Sequence, residues 1–164
     1  MKTIEIALTS DGIKKAIRQI RAYKKSLETK KNKFLRELGN LGYDLMIEEI
    51  YSHDMPYSRG YLARSILVRI GDNTVRISND SDHAVYVEFG TGIVGARNPY
   101  ENNTIGYKYD IKGHGDKGWY YYDEHDGQLH WTKGMPSRPF VHDTYLKLRE
   151  QVFNIAKEVF ESDK

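Results

Sequence analysis

The chain has 164 residues, of which 39% are hydrophobic and 29% charged, and it has no cysteine. Disulfides, thiolate metal sites and thiol nucleophiles are thereby excluded, and no apolar run approaches the ~20 residues of a membrane span. The net charge of +2 conceals an asymmetry: residues 1–36 hold eleven Lys/Arg against three Asp/Glu, and the remainder holds fourteen against twenty. A chain of this size buries enough surface for one ordinary core, so a single domain over 1–164 is expected. The start Met1-Lys2-Thr3-Ile4-Glu5 lacks the apolar stretch of a secretory signal.

Thr3 to Leu8 alternates and reads as a short strand, with Ser10 or Asp11 as the cap of a following helix. Ile13, Ile17, Ile20, Tyr23 and Leu27 recur at helical spacing, and Phe34, Leu38, Leu41 and Leu45 resume the stripe after the polar run Thr29–Lys33. One long helix is favoured over two. Gly39 and Gly42 inside it imply close backbone approach to another element, since each costs ~1 kcal/mol relative to alanine. Pro56 and Gly60 are expected to end the helix. Ala63–Ile70 and Thr74–Ser78 then read as an antiparallel hairpin turning through Gly71-Asp72-Asn73.

The run His83 to Gly92 alternates Val85, Val87 and Phe89 against Tyr86 and Glu88, which predicts a strand stopped by the turn Gly90-Thr91-Gly92. Residues 93–117 form a polar loop without a period, and Gly118–Tyr122 with Gln128–Thr132 form a second hairpin, so that 93–133 is an excursion from the body. Pro136 and Pro139 stiffen the approach to a last helix, with Phe140 as a hydrophobic anchor. Val141, Tyr145, Leu148, Val152, Ile155 and Val159 give that helix an amphipathic face. The class predicted is α+β, a long first helix and a C-terminal helix packed on a mainly antiparallel sheet.

With these elements placed, the chain resembles the head–tail joining and tail-completion proteins of long-tailed bacteriophages and their prophages. The likeness rests on Pro56 to Ile66, on Tyr86-Val87-Glu88-Phe89-Gly90-Thr91-Gly92, and on Trp131 to Phe140 with its Arg138-Pro139-Phe140 end. Order and spacing agree over about residues 40–92 and 131–162, and the basic first helix agrees in character. The resemblance implies a structural virion component at the tail or head–tail junction, assembled in the bacterial host cytoplasm. It implies a homo-oligomer, a ring by preference, whose partners are itself and other neck or tail proteins, with no cofactor.

Several residues invite sharper readings. Glu88 and Arg138 are candidates for an ion pair tying the glycine turn to the last helix, the alternative being two solvated side chains. Trp119, Tyr120, Tyr121 and Tyr122 offer aromatic area to a partner or else pack inside the monomer. Lys14, Arg18, Arg21 and Lys25 recur at four, three and four, making a basic stripe that suits nucleic-acid phosphates, a protein partner, or water.

His125, His130, Asp123 and Asp126 cluster in sequence, and His53-Asp54 and His83 lie near element ends. None has the ligand spacing of a zinc site, so surface roles are expected and no metal is assigned. Ser58, Ser65, Ser78, Ser81 and Ser137 lack a nucleophile elbow, the glycines lack the context of a phosphate loop, and Glu48-Glu49 point ~100° apart on a helix. An enzyme is not expected, and no catalytic residue is assigned.

Overall fold

The computed structural model describes residues 6–53, 59–99, 106–110, 112–123 and 126–161. Helix α1 runs unbroken over Ser10–Ser52, about 65 Å at 1.5 Å per residue. Its cap is Thr9, one residue before the expected Ser10: the Thr9 hydroxyl accepts the Gly12 N–H at 3.1 Å, satisfying a donor that has no partner within the helix. The helix ends at Ser52, before Pro56, which lies outside the described residues. Of the expected first strand, Thr3, Ile4 and Glu5 lie outside them too, and Ile6–Leu8 are not in a strand.

A short helix α2 (Arg59–Arg64) takes up Ala63 and Arg64, so strand β1 begins only at Ile66. β1 (Ile66–Ile70) pairs antiparallel with β2 (Val75–Asn79), Ile66 opposite Asn79 and Ile70 opposite Val75, and the turn is closed by Gly71 N–H to the Thr74 carbonyl at 2.8 Å. The hairpin lies across the C-terminal half of α1. A Cβ on Gly39 would sit 2.9 Å from Val68 Cγ1, and one on Gly42 would collide with Ile77 Cδ1, which is why glycine occupies these helical positions.

The expected strand at 83–89 is a helix, α3 (Ala84–Phe89). Its buried residues are Ala84, Val87 and Glu88, an i, i+3, i+4 set, while Val85 and Tyr86 are exposed. Six residues are too few for alternation to exclude a helical turn. The deciding local feature is Ser81, whose carbonyl accepts the Ala84 N–H at 3.0 Å and whose hydroxyl accepts the His83 N–H at 3.2 Å. The expected loop after Gly92 likewise opens with a helix, α4 (Gly92–Arg97), and holds a 3₁₀ turn at Gly115–Lys117.

Strands β3 (Trp119–Asp123) and β4 (Gln128–Thr132) form the second hairpin, β5 (Gly134–Met135) bridges back to Thr91 and Gly92, and α5 spans Phe140–Glu161. The class is α+β as expected, but the β component is two separate two-stranded antiparallel hairpins. α5 runs antiparallel along α1, from Lys147 beside Glu48 to Phe160 beside Phe34, whose ring centroids lie 6.0 Å apart. The core gathers Met46, Ile50, Leu62, Ile66, Ala84, Val87 and Phe140 from α1, α2, β1, α3 and α5.

Candidate functional site

The two motifs at 88–92 and 134–141 meet. Glu88, at the end of α3, is buried, and its carboxylate accepts the Val141 N–H at 2.8 Å and the His142 N–H at 3.0 Å. These are first-turn amides of α5 with no acceptor inside their own helix, so a side chain more than fifty residues away supplies the cap. The Arg138 N–H bonds the Val87 carbonyl at 2.9 Å, and the Ser137 hydroxyl donates to the Glu88 carbonyl. Of the two readings offered for Glu88 and Arg138, an ion pair or two solvated side chains, Glu88 follows neither: among the described residues no salt bridge joins the two, and the buried Glu88 carboxylate has each oxygen on a backbone amide. Burial pushes the Glu88 carboxyl up to about 7 from 4.5, against the opposing pull of the two amides, and Asp143 adds to the rise.

Gly90, at φ +81°, leaves no room for a side chain: a Cβ would lie 2.7 Å from both Met135 O and Ser137 N. The Thr91 hydroxyl accepts the Met135 N–H at 3.2 Å, and Gly92 bridges to Gly134. Phe89 stacks on Tyr107 at 4.9 Å, and Phe140 is fully buried behind Pro139. Glu88, Phe89, Gly90, Thr91, Gly92, Arg138, Pro139 and Phe140 thus form one closed junction of main chain against main chain. Its carboxylate is tied to amides.

The pleat divides the tyrosine-rich strand. Tyr120 and Tyr122 fall on one face of the hairpin, opposite Trp131 and Leu129 respectively, and these four side chains are between 49% and 69% exposed. Trp119 and Tyr121 fall on the other face, Trp119 stacked on His114 at 4.8 Å and Tyr121 beside His130. Leu129 and Trp131 are missing from the sequence-based set, although the pairing of the hairpin carries the signal for them. At its tip Asp123, Asp126 and His130 bring ligand atoms within 4.8 Å of one another, and Asp126 bonds His130 Nε2 at 2.7 Å, which is the first reason its carboxyl lies below the usual range. His125 lies outside the described residues.

A second group, Glu49, His53 and Asp143, joins the end of α1 to the start of α5. Sequence spacing did not reveal it, since Asp143 comes from a different helix. His53 Nε2 lies 3.4 Å from Asp143 Oδ2, and Lys147 Nζ lies 2.6 Å from both Glu48 and Glu49. The adjacent carboxylates hold the Lys147 ammonium above its usual range, Glu48 first. That arrangement reads as an ion-pair clamp between helices. Asp54 lies outside the described residues, and His83 sits beside the Tyr61 ring at 5.8 Å.

Lys14, Arg18, Arg21 and Lys25 are exposed along the N-terminal half of α1, beside an apolar stripe that is exposed as well. Lys25 continues into an open groove between α1 and α5, lined also by Lys30, Lys33, Ser26, Thr29, Ala22 and Val159. No described helix is long and apolar enough to cross a membrane.

Residues 14–90 match the model of the family described as Bacteriophage HK97-gp10, putative tail-component. The match takes in the basic helix, both strands of the first hairpin and α3, and stops at the glycine turn. No curated protein and no solved structure matches at a significant level.

Proposed function

We propose that this chain is a structural virion protein acting in tail completion or head–tail joining as a homo-oligomer, a ring by preference, a reading supported by its match over residues 14–90 with a family described as a putative phage tail component. The observation that carries the reading is the junction centred on Glu88. The residues that resemble the tail-completion motifs converge on a locked main-chain brace, the chemistry of a frame that must hold shape while its outer faces bind neighbours. The aromatic face of the β3–β4 hairpin and the stripe on α1 are the surfaces left for such neighbours, itself and other neck or tail proteins. A domain over 1–164, folded in the host cytoplasm and carried into the particle, fits the same reading. Mass spectrometry of purified particles tests it, together with electron microscopy of particles made without the gene. The expected result is the chain in the tail or neck, and heads and tails that fail to join, or tails of unregulated length, in its absence. Complete particles lacking the chain would refute the assignment.

A second reading uses the basic ridge Lys14, Arg18, Arg21 and Lys25 with the lysine-lined groove as a contact for nucleic-acid phosphates. It predicts DNA binding that falls steeply between low and physiological salt. Negligible binding at low salt removes it.

A further inference from the structure

Along α1, Ile13, Ile20, Leu27, Phe34 and Leu41 fall seven residues apart, so they lie on one side of the helix, drifting only ~20° per heptad. α5 covers that side as far as Phe34, and Lys30 donates to the Phe160 carbonyl at 3.0 Å. Beyond it the helix continues for another ~30 Å, and on the same side its large apolar side chains stay exposed while the small Ala16 among them is buried. Ile13, Ile17, Ile20, Tyr23 and Leu27 are between 39% and 52% exposed there. An exposed apolar stripe carried past its covering helix marks a candidate docking surface.

We propose that this stripe seats on the outer face of the β3–β4 hairpin of a second copy of the chain, Tyr120, Tyr122, Leu129 and Trp131, head to tail. Size fits: five-residue strands span ~17 Å, and Ile13 to Leu27 spans ~21 Å. Charge fits as well, because residues 10–31 carry eight Lys/Arg and two Asp/Glu, while residues 116–133 carry four acids and two lysines. The basic ridge runs alongside the stripe, so its arginines and lysines would border tyrosine and tryptophan rings, which attract cations; Lys133 already lies 5.4 Å from the Trp131 ring. Antiparallel pairing of two α1 arms would instead set ridge against ridge. Stripe and hairpin are different surfaces, so each copy gives one contact and receives another, a heterologous arrangement that makes a ring when the rotation between copies closes and a filament when it does not.

The proposal rests on the assembly reading above and names its interface. Analytical ultracentrifugation of the full chain tests it with two double variants, Ile17→Asp with Ile20→Asp in the stripe, and Tyr122→Asp with Trp131→Asp in the hairpin. Each is expected to lower self-association more than ~10-fold. Mixing the two restores one intact stripe and one intact face, so a 1:1 complex should form where neither variant associates alone. A monomeric wild type, a hairpin variant that associates like the wild type, or a mixture with no 1:1 complex would each overturn the interface. Thermal melts by circular dichroism verify folding, and Arg18→Glu with Arg21→Glu replaces any variant that unfolds, with the same expected loss. The two readings fail separately. Particles that contain the chain while the isolated protein stays monomeric sink the interface alone, and an associating chain absent from particles sinks the assembly role alone.

Discussion

The two halves of α1 carry the same apolar pattern and meet different fates. From Leu35 to Ile50 the stripe is buried beneath the first hairpin and α5, close enough that Gly39 and Gly42 cannot bear a methyl group without displacing a neighbour. From Ile13 to Leu27 the large side chains of the same stripe are exposed, and only the small Ala16 among them is buried. Helical periodicity therefore marks where an apolar side must go, and it leaves open whether the covering partner belongs to the same chain. The two glycines are the local sign of an internal partner: side chains of the first hairpin and of α5 fill the space their Cβ atoms would need, and no glycine interrupts the helix from Ile13 to Leu38.

Breaking the buried half should cost most. Phe140 fills the core beside Met46 and Ile50, and Phe140→Ala should remove about 3–5 kcal/mol of stability in urea unfolding. Glu88 acts on the same half indirectly, since it holds the start of the helix that covers it. Its carboxyl is raised to about 7 from 4.5, so folding takes up a proton between those values. Its contribution is fully present below pH 4.5, is lost as pH rises to about 7, and stays level above, a total on the order of 3 kcal/mol. Unfolding measured at pH 4.5 and 7.5 should differ less by that amount in Glu88→Gln than in the wild type.

Gly42→Leu sharpens the comparison with a smaller effect. It overfills the contact with Ile77 and Leu148, and calorimetry should register a loss of about 1–3 kcal/mol. In the open half Ile17→Ala should change stability by less than ~0.5 kcal/mol, because the side chain is 44% exposed and little intramolecular burial is lost. A large destabilisation there would mean that the stripe is covered within the monomer, and the contrast between the two halves would disappear.

Much of the fold was legible. The strands of the two hairpins, the turn of the first and α5 follow from alternation, Gly-Asp-Asn and a clean helical period, and the unbroken α1 from its resumed stripe. The miss at Ala84–Phe89 is instructive: Val85, Val87 and Phe89 mimic a strand, yet Ser81 starts a helical turn and Glu88 is drawn inward to meet α5. At the candidate site the sequence left an ion pair and two solvated side chains as alternatives. Glu88 and Arg138 do come to one junction, but the partner of the carboxylate is main chain, and an amide has no signature in side-chain sequence.

By itself the sequence determined local periods, turns, the charge division between first helix and body, and the absence of thiol chemistry, since each depends only on neighbouring residues or on counting. Tertiary structure alone decided which half of α1 is covered, which aromatic side chains of the hairpin face water, and what Glu88 holds. Those outcomes depend on contacts between segments tens of residues apart, where the pairing is set by shape, by unsatisfied amides and by the length of α5 against that of α1.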